Sequence, residues 1–519
     1  MIDRRPGAET VRAVLLAVAV LALWEVLGRG TEWGRAVMPA PTRILAGFVT
    51  DRELYLLHGL ATVETSLAGF ALGVAVALLA ALAFCLWPSA ELLMRGVNIA
   101  LFAMPAIVVG PLLVLFLKGT WPQIALAAMM VYFPAMSAAL MGLRTVDPRL
   151  ADLVAAYGGG ERQLMRHVRL RGALPAVLAG LRIAAPLAVL GAVLGEFGSG
   201  TRWGFGAFLL SALPQGDPAR LWGIGLASSA VALAGYLAFL LPARRLDATT
   251  GAVTLATVRP ADASAAASAP RWLRIALALG ALALPFVVWE LAVTLSKVSP
   301  IVAPGPVRTV MYLVTGREAE AARAAMGRAL AETLPIAALG LVAGLAFAFA
   351  LAALALLAPT FARATMPVAL VAQNMPLVAV VPFVVLLFGR GVAASVFMAV
   401  LVVFFPAYVM IHQGLVSVPR AAGDLVAVYG GGRLKHLVHV AVPYAVGHLF
   451  AAARLVAPQA LLGVMVAEWL LTGVGLGNLL NISRGGLEFD MIWAGALIAI
   501  LISVAAYEAV GVLERRYRR

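Results

Sequence analysis

Long apolar runs recur along this chain, each near the length that crosses a bilayer, with short polar segments between them. In the first half they fall at about residues 11–28, 62–87, 97–117, 121–143, 174–197 and 221–242. In the second they fall at about 272–294, 331–358, 366–388, 392–415, 445–471 and 491–513. Hydrocarbon offers no partner for backbone polar groups, so each run is expected to be helical. The pattern predicts an all-α integral membrane protein with about twelve transmembrane helices in two tandem pseudo-symmetric halves. An even number of spans per half gives both halves the same orientation, a parallel repeat about an axis along the membrane normal.

The halves also match in detail. DLVAAYGGG at 152–160 returns as DLVAVYGGG at 424–432, with a single difference. Trp24-Glu25 answers Trp289-Glu290, and Pro39-Ala40-Pro41 answers Pro304-Gly305-Pro306. Glu64-Thr65 is paired with Glu332-Thr333, and Met104-Pro105 with Met375-Pro376. Tyr132-Phe133-Pro134 is paired with Phe404-Phe405-Pro406. Arg182, Pro186 and Glu196 are paired with Arg454, Pro458 and Glu468. The expected units are therefore residues 1–242 and 272–519. They are joined by 243–271, a stretch of Ala, Ser, Thr and Pro that reads as a flexible cytoplasmic linker.

Composition agrees: 63% of residues are hydrophobic and only 12% charged, far from the balance of a soluble domain. The formal charge of +14 is carried mostly by Arg in the segments between spans. This reads as topology and lipid contact rather than nucleic-acid binding. The larger share of Arg and Lys, including both repeated polar loops and the terminal ERRYRR, falls on one side. That side is expected to be the cytoplasm, with both termini there, the protein being multi-pass in a bacterial cytoplasmic (inner) membrane. Residues 11–27 read as a first transmembrane helix rather than a cleaved signal. A single Cys85 and six scattered His exclude a disulfide framework and give no metal site. No phosphate-binding G-x-x-x-x-G-K-[ST] occurs, so ATP hydrolysis and any other enzyme activity are not expected of this chain, nor is a cofactor.

The repeated polar loops, within 144–180 and 416–452, hold the candidate chemistry. In the first, Asp147-Pro148 starts a helix, Leu150, Leu153 and Val154 form its apolar face, and Gly158-Gly159-Gly160 breaks it. A second short helix begins at Glu161, with Arg162, Arg166 and Arg169 on its polar face. The second loop repeats this with Pro419, Leu425, Val426, Gly430 and Arg433. Gly158 and Gly430 are expected at positive φ. The bland reading is an amphipathic pair lying on anionic lipid; duplication and the glycine break favour a protein interface.

Here the chain resembles a known family. An acidic residue, small residues, Gly six positions later and Leu-Pro or Val-Pro thirteen beyond that Gly is the pattern of the EAA loop of ABC-importer permeases. Asp152 and Gly158 fit in the first half, and Asp424, Gly430 and Val442-Pro443 in the second. With them, Ala155, Gly159 and Arg162, and Ala427, Gly431 and Arg433, are the loop residues expected to meet the ATPase. Asp stands for Glu in both loops, Leu-Val for Ala-Ala, and Arg171 stands where Pro is usual. The Trp-Glu, Pro-x-Pro and Met-Pro pieces, with Gly473-Val-Gly-Leu-Gly477, are similar to the permeases of the nitrate, sulfonate and taurine type. The resemblance implies two permease halves fused in one chain. It implies two copies of a cytoplasmic ABC ATPase on the two loops, and a periplasmic or lipid-anchored solute-binding protein on the other face. Membrane lipid surrounds the rest, and a small polar or anionic solute is carried through.

Four polar residues are candidates for the solute path. Gln373 and Asn374 form a polar pair in an apolar span; an interhelical hydrogen bond is the structural alternative. Glu196 and Glu468 are carboxylates near the outer ends of equivalent spans, functional suspects by position, although a structural hydrogen bond is favoured. Gln123 and Ser137 are weaker candidates. The glycines at 198–206 and 473–477 are expected to shape an outer gate. Other classes remain: an ion-driven secondary transporter with parallel six-helix repeats, which should carry ionisable groups mid-span, and a membrane scaffold.

Overall fold

The computed structural model of the chain describes residues 8–145, 147–245, 271–358 and 377–517. Most of the joining segment, and the pair Gln373–Asn374, lie outside the described residues. Every regular element described is helical. In the first half these are α1 (Ala8–Gly30), α2 (Glu32–Val37), α3 (Pro41–Thr50), α4 (Arg52–Leu86), α5 (Pro88–Ala103), α6 (Ala106–Phe116), α7 (Trp121–Arg144), α8 (Pro148–Ala156), α9 (Glu161–Leu164), α10 (Leu170–Ser199), α11 (Phe205–Ala212) and α12 (Pro218–Arg245). In the second they are α13 (Arg271–Ser296), α14 (Pro306–Val314), α15 (Ala319–Leu357), α16 (Leu377–Phe388), α17 (Val392–Val416), α18 (Arg420–Val428), α19 (Arg433–His436), α20 (Val442–Ala467), α21 (Gly475–Gly485) and α22 (Phe489–Tyr517).

Among the described residues, nine helices are long and apolar enough to cross a membrane. α5 and α6 meet the same test only together, bent by 105°. The sequence predicts one straight span at 97–117, so this is a correction. Its cause is Met104-Pro105: Met104 takes an extended backbone (φ −68°, ψ 122°), as a residue before proline does, and Pro105 cannot continue a helical ladder.

The Pro-x-Pro repeats also find their reason. Pro41 and Pro306 open α3 and α14, where a missing N–H costs nothing. Beside each, a tryptophan from the half's last span meets one from its first. Trp24 and Trp222 lie 5.3 Å apart, Trp289 and Trp493 5.2 Å. The indoles of Trp222 and Trp493 donate to the carbonyls of Val37 and Val302 at 2.9 and 3.1 Å.

The centre of each half is three spans: α7 against α4 and α10, and α17 against α15 and α20. Small residues let the backbones touch. A Cβ on Gly69 would fall 2.4 Å from the Ala127 Cβ, and one on Gly191 would fall 2.7 Å from its Cα. The second half repeats this with Gly340 and Gly463 at 2.4 and 2.8 Å from Ala399. Close approach of this kind supplies the dispersion that holds helices together where lipid is as apolar as leucine. The halves meet through an apolar seam, in which Ile107 and Val108 of α6 pack with Val381 and Val384 of α16 and Leu461 and Met465 of α20.

These contacts set the register of the repeat, and they correct one pairing. Gly69 and Gly340 are equivalent, so Thr333 corresponds to Thr62 and not to Thr65; the Glu64-Thr65 likeness is a coincidence of composition. A second correction concerns Arg182 and Arg454, which sequence position places near helix starts. Both lie well inside the continuous helices Glu161–Ser199 and Arg433–Thr472. Each guanidinium sits over a tyrosine ring, Tyr236 at 5.3 Å and Tyr507 at 4.2 Å. A cation–π contact gives a charge in that setting a partner.

The central glycines make a direct prediction. Gly191→Val and Gly463→Val should each lower stability by about 1–3 kcal/mol, the usual cost of forcing extra atoms into a packed contact. Gly327→Ala, whose Cβ meets open space, should not lower it. Thermal melting of the detergent-solubilised protein measures this. A wild-type melting temperature for both valine variants would contradict the packing.

Candidate coupling loops and buried carboxylate clamps

The two polar loops fold alike. Asp147 caps α8 by accepting from the Arg149 amide at 2.9 Å. At the far end, the Gly158 amide donates to Ala155 O at 2.9 Å and the Gly159 amide to Val154 O at 2.8 Å. In the second loop, Gly430 donates to Ala427 O at 3.0 Å and Gly431 to Val426 O at 2.8 Å. This paired bonding is the Schellman close of a helix, and its left-handed residue is Gly158 or Gly430, each at φ +72°, as the sequence predicts.

The following glycine is the sterically strict one. A Cβ on Gly159 would lie 2.6 Å from the Val154 side chain, and one on Gly431 would lie 2.4 Å from Val426, whereas Gly158 and Gly430 face open space. After the bend come α9 and α19, then a π-helical turn at Met165–Arg169 and at Leu437–Ala441. That turn is the same with Val442-Pro443 as with Leu170-Arg171, so Arg171 leaves the backbone unaltered.

The bend presents an apolar surface to solvent. Tyr157 is 86% exposed, Tyr429 82% and Val428 82%, beside the exposed Leu150, Leu153 and Leu425. Asp152, Ala155, Asp424 and Ala427 lie exposed on the same short helices, and Arg162 and Arg433 are exposed at the start of the next; Arg433 also donates to Leu357 O at 3.2 Å. Pro443 is exposed in the first turn of α20. A parallel repeat is expected to set both loops on one side, hereafter the loop face.

Glu196 and Glu468 are 1% exposed. Glu196 accepts from the Thr62 hydroxyl at 3.1 Å, the Thr65 hydroxyl at 3.4 Å and the Gly206 amide at 2.9 Å. Glu468 accepts from the Thr333 hydroxyl at 2.7 Å and the Gly477 amide at 2.8 Å. The same threonines accept the amides of Phe205 and Leu476, each at 2.8 Å. Each carboxylate thus ties α4 or α15 to the first turn of α11 or α21. A polar group buried in this way is tolerable only because its oxygens are hydrogen-bonded.

The glycines beside them are required. Gly204 and Gly475 have φ +129° and +83°, and a Cβ on either would lie inside van der Waals contact of the carboxylate. Of the weaker candidates, Gln123 donates to the Ser199 hydroxyl at 2.9 Å, and the Ser137 hydroxyl is buried without a partner among the described residues.

Sequence reasoning missed one asymmetry. The Gly475 amide donates to Glu332 at 2.6 Å, but at the equivalent Gly204 it is His58 Nδ1 that meets the backbone, 2.8 Å from the carbonyl oxygen and 3.1 Å from the amide. His58 is stacked on Phe208 at 4.6 Å and is buried. The signal was present in the corrected register, which sets Ala61 against Glu332 and leaves the first turn without that carboxylate.

Two helical repeats around a shared seam, with loops matched in hydrogen bonds and backbone, define a duplicated membrane permease. The chain belongs to the family described as binding-protein-dependent transport system inner membrane component, whose model matches residues 62–250 and again 340–519. The family is a membrane permease component of ABC transporters rather than an enzyme. A probable ABC transporter permease protein of Haemophilus influenzae is 28% identical over 230 residues, 44% of this chain and 91% of its own. The riboflavin transport system permease protein RibX of Chloroflexus aurantiacus is 33% identical over 153 residues, 30% of this chain and 57% of its own. The taurine transport system permease protein TauC of Escherichia coli is 24% identical over 244 residues, 47% of this chain and 89% of its own. The Haemophilus and Escherichia permeases thus each match over most of their length while covering under half of this chain, as a fused pair of permeases requires.

The clamps can be tested by removing acceptors. Glu196→Ala and Glu468→Ala each leave a buried amide and hydroxyl short of a partner, a loss of about 1–3 kcal/mol per unsatisfied group. Glu196→Gln keeps a carbonyl acceptor and should lose less. Melting temperatures in the order wild type, Gln, Ala are expected; equal stability of all three would show that the turn does not depend on the carboxylate.

Proposed function

We propose that this chain is the whole transmembrane pathway of an ATP-driven importer. Residues 1–242 and 272–519 would be its two permease halves, with coupling loops within 144–180 and 416–452 and the linker 243–271 between them. The loop face would be cytoplasmic, together with both termini. Two copies of an ABC ATPase subunit would bind there, one to each loop. A periplasmic or lipid-anchored binding protein would dock on the opposite face.

The observation that carries this reading is the exposed apolar bend, built twice with the same hydrogen bonds. A rigid helix end set at a fixed angle to a long span is suited to passing movement into that span. An apolar knob rimmed by Arg162 or Arg433 is suited to a protein groove. Asp152 and Asp424 would contribute the acidic position of the loop.

The solute would pass between the halves, where inward faces meet away from lipid. Gln373 and Asn374 remain candidates for polar contacts on that route. The relatives' names mention riboflavin, formylaminopyrimidine, aliphatic sulfonates and taurine. These are small and rich in polar or anionic groups, which supports a solute of that class here. The complete set of internal donors around Glu196 and Glu468 favours a clamping role over ion carriage, and so counts against an ion-driven transporter.

Tyr429→Asp and Tyr157→Asp place a charge at the centre of the proposed contact. Each should weaken co-purification of the ATPase subunit by about tenfold or more, as expected for a central aromatic of an interface, with the permease still folded in the membrane. Undiminished binding by the double variant would overturn the docking assignment. Gly431→Val should likewise leave the protein in the membrane but lower solute-stimulated ATP hydrolysis in proteoliposomes, because the bend is re-aimed. Full stimulation would show that the bend is not the coupling element.

A further inference from the structure

A cavity of about 830 Å³ lies at the border of the two halves. Its walls come from α5 and α6 on one side and α13 and α22 on the other, and nearly all of its lining is apolar. Leu282 and Leu501 line it, and they are 68% and 49% exposed on membrane-crossing helices. The cavity therefore opens sideways into hydrocarbon and not along the seam between the halves. Its far end holds the stacked indoles of Trp289 and Trp493.

The other end carries charge. Arg95 Nη2 donates to Glu508 Oε1 at 3.1 Å, and both side chains line the cavity. Among the described residues this is the one ion pair that joins the halves. The repeat has no counterpart, because Met366 stands in the place of Arg95 and Leu237 in the place of Glu508. The two side chains are 44% and 35% exposed, so neither charge is used up by the other. Their depth is set by Glu91, one turn from Arg95, which binds Arg144 at 2.6 Å where α7 ends and the first loop begins. The pair therefore sits near the level at which the loop-face leaflet becomes polar.

An apolar cavity that opens into hydrocarbon is not filled by water, and an empty one forfeits the contacts of its lining. A hydrocarbon chain is the only abundant filler with access through the lipid-facing mouth. At the charged end, a cation and an anion side by side fit a headgroup that carries both signs. A phosphate would replace Glu508 on Arg95, and a primary ammonium would replace Arg95 on Glu508. A headgroup with negative charge alone would meet Glu508 unpaired.

We infer that this cavity is a binding site for a phospholipid of the phosphatidylethanolamine class. Its acyl chain runs towards Trp289 and Trp493, and its headgroup lies between Arg95 and Glu508. The inference rests on the membrane-spanning fold alone and not on the importer reading.

The test uses the full chain in nanodiscs containing phosphatidylethanolamine or phosphatidylglycerol with brominated acyl chains, which quench nearby indoles. The Trp289 signal is isolated by difference from Trp289→Phe. Half-maximal quenching is expected at a lower mole fraction of phosphatidylethanolamine than of phosphatidylglycerol. Glu508→Gln should shrink that preference by about fivefold, the scale of a partly exposed ion pair. Ala100→Phe, which fills the cavity wall, should weaken quenching by both lipids. Equal quenching by the two lipids in the wild-type chain would overturn the headgroup assignment. Quenching unchanged by Ala100→Phe in a protein that still elutes as a single species would overturn the site itself.

Discussion

In hydrocarbon no hydrophobic force presses helices together, so their attraction must come from backbones that approach closely. Gly69, Ala127 and Gly191, and again Gly340, Ala399 and Gly463, are where this happens. The rest of each half is placed by that contact. Thr62 lies seven residues before Gly69, and Glu196 lies five after Gly191; Thr333 and Glu468 keep the same distances from Gly340 and Gly463. Small residues thus bring the threonine to the carboxylate, and the carboxylate holds the turn that opens the short helix α11 or α21. Packing by the least polar residues and recognition by the most polar ones are two stages of one arrangement.

Much of this was legible in the chain. The apolar runs locate α7, α12, α13, α17 and α22 to within a few residues, because membrane crossing fixes both length and polarity, but α4 and α15 begin ten and twelve residues before the runs at 62 and 331. The loops were legible for another reason: a polar motif repeated within apolar sequence is conspicuous, and three glycines in a row must end a helix. The Schellman hydrogen bonds confirm the bend, although the stricter steric demand falls on Gly159 and Gly431 rather than on the residues at positive φ.

What escaped the sequence shares a physical cause. The bend of 105° between α5 and α6 is permitted by Met104-Pro105, but a proline does not state an angle. Thr62 was hidden by a neighbouring Glu-Thr pair that resembled the other half more closely, and only backbone contact could choose between the registers. His58 was a lone histidine with nothing nearby in sequence to mark it, and its partner Gly204 lies 146 residues away. Arg95 and Glu508 are separated by 413 residues, and no local pattern ties them.

The first span of the second half meets α22 of its own half through Trp289 and Trp493 and also reaches across to the other half. α13 packs along α5, and α22 joins it there, so part of one unit is laid against the flank of the other. Gly96 of α5 comes so close to the Ala281 carbonyl that it admits no side chain. The peptide connection between the halves is therefore not the principal thing that keeps them paired. A chain cut there and assembled from two fragments has the same embrace available to it. What the covalent link adds is a guarantee of unlike partners: each half meets the other and never a copy of itself, which frees Ala61 and Glu332, or Arg95 and Met366, to differ.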